Sequence, residues 1–160
     1  MVEACRVLKV DLTSGKVREE ILSGEHVRRF VGGRALGAML LYSELRPNVD
    51  PLGPENKLIF SVGPLTGTTA QGSSRYCVTT KSPLTNLYLD SLAGGYFGPE
   101  LKKTGFTSVV VEGKSPDPVY LLIRDNEVEI RDASTIWGMT VEHTQEFIKE
   151  DLRDQGVRIA

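Results

Sequence analysis

Apolar and polar residues alternate along residues 5–11 (CRVLKVD). Val7 and Leu8 sit near Val10 and Leu12, with Arg6, Lys9 and Asp11 between or beside them. A period of two predicts a strand. Thr13-Ser14-Gly15 then reads as a turn and 16–22 as the partner strand, so the chain opens on a hairpin whose glycine takes the position that needs positive φ. The period next lengthens. Ser23 is placed to cap a helix through Phe30 and Val31, and Gly32-Gly33 loosens that helix. From Arg34 to about Leu45 a second helical run sets Leu36, Met39, Leu40 and Leu45 along one side, and Pro47 and Pro51 end it.

Short strands follow at 57–62, 75–81 and 86–90, with a short helix at 99–103. The stretch 108–112 is nearly all valine and reads as a strand buried on both faces. Residues 118–124 and 127–131 form a second hairpin around Asp125-Asn126. Thr140 caps a last helix to about Arg153, with Glu142 near its positive end and Val141, Ile148 and Leu152 on one face. Residues 157–160 begin a further apolar strand, the pattern of a chain cut inside a domain. Hairpins dominate and there is no regular βαβ alternation. The expectation is an α+β fold of mainly antiparallel sheets with a few packed helices, forming one domain over 1–160 that is truncated at its C-terminal end.

The 160 residues suffice for one core. Charge narrows the function classes. With 19 basic and 21 acidic residues well mixed, no basic block or stripe exists, which argues against nucleic acid as a partner. No apolar run approaches the ~20 residues of a membrane span, and residues 1–20 lack the apolar centre of a signal peptide, so no membrane association and a cytoplasmic location are expected. Homo-oligomerisation stays open. Cys5 and Cys77 are the two cysteines, with no CxxC spacing. They read as small buried hydrophobes and cannot supply the four thiolates of a zinc site or iron–sulfur cluster.

The stretch 54–114 carries the chemistry. Gly63-Pro64-Leu65-Thr66-Gly67-Thr68 follows a strand, and its N–H groups and hydroxyls could hold phosphate oxygens. It is no P-loop, because no Gly-Lys-Ser/Thr follows, and a structural turn is the competing explanation. The run Ser91 to Gly98 leads into the 99–103 helix, where free N–H groups suit an anion; close packing of strand on helix is the alternative. Arg75, after Gly72-Ser73-Ser74, can project a five-donor fork toward a phosphate or ring oxygen, or can simply be solvated. Gly32 to Gly37 could be a ligand loop, but a helix–helix contact that needs small residues is the better reading. Asp90 reads as a cap, and His26 and His143 as exposed helical residues. No HExxH, GxSxG or Cys/His constellation is present, so no catalytic or metal-ligating residue is assigned.

Several short matches in order then point to one family. They are Asp50-Pro51-Leu52, Pro54-Glu55-Asn56-Lys57-Leu58-Ile59, GPLTGT at 63–68, Arg75, Thr80-Lys81-Ser82-Pro83-Leu84-Thr85, GGYFG at 94–98, Glu100-Leu101-Lys102 and Val111-Glu112-Gly113-Lys114. Pro118-Val119-Tyr120, Ile130-Arg131-Asp132-Ala133 and Trp137-Gly138 add to them. In these the chain resembles the N-terminal domain of the tungsten- and molybdenum-pterin aldehyde ferredoxin oxidoreductases.

The resemblance implies a sheet-built platform under a tungsten (or molybdenum) bis-pterin. It implies oxidation of aldehydes to carboxylic acids with ferredoxin as electron acceptor. It also implies a [4Fe–4S] cluster whose ligands come from the remaining domains of the parent protein. Residue by residue, Arg75 is similar to the family arginine between pterin and cluster, and Leu92, Ala93, Gly94 and Gly95 to the family's pterin loop. An asparagine of that loop is replaced by Leu92, so a backbone contact can survive there and a side-chain hydrogen bond cannot. The alternative is a stand-alone pterin- or phosphate-ligand-binding module without redox activity.

Overall fold

The computed structural model describes residues 5–125 and 127–160; Asn126 of the second hairpin turn lies outside them. A six-stranded sheet in the order β2-β1-β6-β3-β4-β5 forms the body. Its strands are β1 (Cys5–Asp11), β2 (Lys16–Leu22), β3 (Lys57–Val62), β4 (Tyr76–Lys81), β5 (Tyr88–Ala93) and β6 (Phe106–Glu112). A separate hairpin pairs β7 (Val119–Arg124) with β8 (Glu127–Asp132). The helices are α1 (Gly24–Phe30), α2 (Gly33–Glu44), α3 (Phe97–Lys103) and α4 (Val141–Asp151). This is the α+β architecture the hairpin pattern predicts. One pairing departs from it: β1 lies parallel to β6, so the sheet is mixed. Parallel neighbours need a long crossover, and no local pattern marks one. Ser23 and Thr140 do cap α1 and α4.

Register assigns the faces, because directly paired residues project to the same side. Val7, Val110 and Ile59 share one face with Cys77, Thr79, Asp90 and Leu92. That face receives α2 through Leu36, Leu40 and Leu41. The other face carries Leu8, Val10, Val62 and Val109, covered by Leu101 of α3, with Leu121, Ile123, Val128 and Ile130 of the β7–β8 hairpin packed against the cluster. A third cluster joins Ala133, Ile136 and Ile148. Two expectations fail at this end of the chain. Residues 157–160 form no strand. Val141 lies on the Ile148 side of α4 but two turns nearer its start, and at 77% exposed it takes no part in the cluster that Ile148 enters.

The β6 strand fills the middle of the sheet, which explains its valines and also its serine. Ser108 and Ser61 are fully buried and share a hydrogen bond of 2.7 Å. These small polar residues lie below α2, where Gly37 approaches so closely that a Cβ would stand 2.5 Å from Thr79 Oγ1. No buried side-chain nitrogen or oxygen among the described residues lacks a hydrogen-bond partner.

At its far end α2 is tied down by charge. Glu44 takes Lys9 at 2.8 Å and Lys57 at 3.6 Å; Lys9 also meets Glu20 at 2.6 Å, and Lys57 pairs with Glu112. Both lysines are 8% exposed. Burial alone would lower the Lys9 pKa, but the Glu20 and Glu44 carboxylates outweigh it and hold the ammonium above its ordinary value. A raised folded pKa means stability that is complete below the unfolded lysine range and is lost as pH climbs through the folded value. Glu44→Gln is therefore expected to destabilise the fold at pH 7 by roughly 1–3 kcal/mol, each lysine keeping one carboxylate. It should also flatten the loss of stability above pH ~10. Urea unfolding of both proteins across that range checks this. Identical curves would mean that Glu44 contributes nothing.

Candidate functional site

Val62, Tyr76 and Ala93 mark one end of the sheet, since Val62 pairs with Tyr76 and Tyr76 with Ala93. The glycine-rich segments gather there. A Cβ on Gly98, at the start of α3, would lie 3.1 Å from the Ser74 carbonyl and 3.4 Å from Thr66 Cγ2, so the 63–75 loop and the 94–98 turn are side by side. Gly32 completes the group. A Cβ there would meet the Val62 carbonyl at 2.8 Å, and its φ of +156° adds to the demand for glycine. The 32–37 cluster thus serves helix–sheet and helix–loop contacts, not the helix–helix contact its small residues predict.

Within the 63–68 loop the hydroxyls are already engaged. Thr66 is 4% exposed; its Oγ1 accepts from the Gly63 N–H at 3.1 Å and donates to the Arg75 carbonyl at 3.1 Å. Thr68 Oγ1 donates to the Leu65 carbonyl at 2.8 Å. These bonds shape the loop and position the backbone of Arg75, so the threonines are not free phosphate donors. The Arg75 side chain is exposed and makes no hydrogen bond or ion pair among the described residues.

The pattern predicts a strand ending at Asp90 and a loop over 91–98. The structure carries β5 on to Ala93, because pairing with β4 continues until the two strands run out together. Leu92 and Ala93 are consequently strand residues on opposite faces, and Gly94 and Gly95 alone of the four form the turn. Leu92 is 44% exposed on the α2 face. Gly95 has φ +96°, and a Cβ at either glycine would meet nothing within 4 Å. Open space over two glycines lets a flat ligand approach the main chain. Below them, Phe60, Tyr76 and Phe97 stack with centroids 4.9–6.5 Å apart and fix the turn to the sheet. A pocket of about 250 Å³ lies beside the turn, lined by Tyr76, Gly94, Tyr96, Phe97 and Lys149 among others.

Asp90 is not a cap. Its Oδ2 accepts from Arg34 Nε at 2.7 Å, across from α2. Arg34, directly after Gly-Gly at the start of α2, is not singled out within the 32–37 cluster by the sequence. Cys5 and Cys77 are buried, as their composition predicts, and burial pushes both thiols up, away from nucleophilic thiolate. No group of three or more His, Cys, Asp or Glu is placed to hold a metal among the described residues, and no helix there is long and apolar enough to cross a membrane.

Among the described residues, the end of the sheet thus presents main chain, the exposed Arg75 guanidinium and an apolar strand edge, a surface on which a large polar ligand can lie. A bis-pterin fits this donor set. Such a group brings its own metal ligands, needs hydrogen-bond donors and a flat floor, and needs no protein thiolate.

Comparison with known proteins agrees with this geometry. Residues 7–160 match the family described as "Aldehyde ferredoxin oxidoreductase, N-terminal domain". The tungsten-containing aldehyde ferredoxin oxidoreductase of Pyrococcus abyssi is 48% identical over 155 residues, which are 97% of this chain and 26% of that protein. The aliphatic sulfonate oxidoreductase, WOR-like subunit, of Pyrococcus furiosus is 42% identical over 84% of this chain and 22% of its own length. Among solved structures, a chain of the active-site complex BamBC of benzoyl coenzyme A reductase, with 1,5 dienoyl-CoA, superposes with a TM-score of 0.92. It is 41% identical and covers 94% of this chain and 23% of its own. The chain thus spans about a quarter of the length of the relatives it matches. Matched along nearly its whole sequence, this chain belongs to the aldehyde ferredoxin oxidoreductase family as its N-terminal domain.

Proposed function

We propose that this chain is the cofactor platform of a tungsten- or molybdenum-pterin oxidoreductase that converts aldehydes to carboxylic acids and delivers the electrons to ferredoxin. The observation that carries the proposal is the meeting of the 63–75 loop, the 94–98 turn and the Gly32 approach at one sheet end, with Arg75 unpaired beside them. When bound, the metal would supply the redox step, in which aldehyde and water give carboxylic acid, two protons and two electrons. Arg75 would donate charge-assisted hydrogen bonds to the pterin. The N–H groups of Gly94 and Gly95 would lie under the ligand, Leu92 would offer apolar contact, and Ala93 its main chain. The two buried cysteines leave the [4Fe–4S] ligands to further domains of the parent protein, acting in the cytoplasm. That relatives of such different named activities match most of this chain supports a choice of substrate made elsewhere in those larger proteins.

Arg75→Ala in the complete protein carrying this domain is expected to remove a contact of about 1.5–3 kcal/mol. Metal and pterin content should fall roughly ten-fold or more at limiting cofactor. Arg75→Lys should recover part of it, because a point charge lacks the planar fork. Folding should change little, since the side chain is exposed. Full metal content and full turnover in both variants would overturn Arg75 as a cofactor ligand.

A further inference from the structure

Arg34 projects from the first turn of α2 toward the edge strand β5. Its Nε donates to Asp90 Oδ2 at 2.7 Å, while its two Nη groups make no hydrogen bond among the described residues. The side chain is 61% exposed and that of Asp90 only 20%. An arginine that merely neutralises a surface carboxylate commonly presents its fork to both oxygens. Here the carboxylate holds the inner nitrogen, and the outer pair is left pointing at solvent.

The mount is rigid on both sides. Gly37, one turn along α2, packs on Thr79, and Thr79 is the β4 partner of Asp90. Leu92 lies two residues beyond Asp90 on the same face. Two positions on a strand span about 7 Å, so a ligand lying over Leu92 comes within reach of a long guanidinium side chain. Lys81, two residues beyond Thr79 on β4, does not compete for Asp90, since it is turned away to the Val49 carbonyl at 2.6 Å.

We propose that Arg34 is a second ligand-holding arginine of the platform. Asp90 grips its Nε, and its two Nη groups bind a phosphate-type oxyanion next to Leu92. The inference rests on the platform assignment above, which it extends by naming the residue that takes the anionic part of the ligand. That oxyanion could be a phosphate ester of the cofactor or a free phosphate, and two measurements separate the sources.

The first measurement is cofactor content of the complete protein with Arg34→Ala, Arg34→Lys and Asp90→Asn, read alongside Arg75→Ala. The expected result is a loss of roughly ten-fold with Arg34→Ala, partial recovery with Arg34→Lys, and an intermediate loss with Asp90→Asn. The second is thermal melting of this chain with and without inorganic pyrophosphate. The expected result is a rise in Tm that Arg34→Ala abolishes and Arg75→Ala keeps in part. If Arg75→Ala strips the cofactor while all three Arg34 and Asp90 variants retain it, the platform stands and this inference fails. If no variant loses cofactor, both fail. A pyrophosphate response that depends on Arg34, with unchanged cofactor content, would overturn the assignment to the cofactor and leave a free-phosphate site.

Discussion

Replacing Phe106 by alanine is expected to destabilise the protein by about 3–5 kcal/mol, the usual range for deleting a buried aromatic ring. Phe106 is completely buried at the start of β6, against Leu8, Val10, Val62, Leu101 and Val109. Its ring also lies beneath the Arg6 guanidinium at 4.7 Å, so the substitution removes a cation–π contact with the packing. The neighbours give the loss a functional direction. Val62 leads straight into the Gly63 loop, and Leu101 anchors the helix that follows the Gly94-Gly95 turn. A cavity at Phe106 opens under both halves of the site. Urea unfolding measures the first effect, and proteolysis of the 63–75 loop in the surviving folded fraction measures the second. A loss below 1 kcal/mol would show that the surrounding side chains collapse into the space.

Gly37→Val is expected to be at least as damaging. A Cβ at this position would stand 2.5 Å from Thr79 Oγ1 and 3.1 Å from Thr79 Cβ, and Thr79 is itself fully buried and β-branched. Neither partner has a free rotamer to retreat into, so α2 must lift from the sheet. Overpacking in a tight core costs typically 1–3 kcal/mol. Here the displaced helix also carries Leu36, Leu40 and Leu41 out of their cluster, so a loss of about 3 kcal/mol or more is expected. Thr79→Ala in the same chain should return part of it. A double-mutant cycle with no coupling between the two positions would overturn the contact as the cause.

The hairpins, both capped helices and the bounds of β1, β2 and β3 were legible because each is written locally, in a period of two, a cap residue or a turn glycine. The parallel β1–β6 contact was not legible, since it joins residues about a hundred positions apart and neither strand carries a mark of its partner. The extent of β5 was misjudged for a similar reason. Ser91, Leu92 and Ala93 look like the approach to a glycine loop, but ladder pairing with Tyr76, Cys77 and Val78 keeps them extended. At the candidate site, the glycine-rich segments stood out by composition, whereas Arg75 was singled out through the family resemblance. That the threonines of GPLTGT close their own loop, and that Arg34 crosses to Asp90, are facts of tertiary distance. So is the true role of Gly37, whose neighbour Thr79 is distant in sequence.

The central slot of the sheet has a consequence for how the chain acquires its shape. β1 leaves the ribosome about a hundred residues before one of its neighbours, β6, which ends at Glu112, and β3 also waits for β6. Until that strand arrives, the β1–β2 and β3–β4 ribbons are separate pieces with unpaired edges. Such high contact order makes closure slow relative to helical domains of the same size, and exposed ribbon edges are sticky in the interval. The 63–75 loop joins β3 to β4 and the 94–98 turn follows β5, so both glycine segments lie in the β3–β4–β5 piece and can come together before β6 arrives.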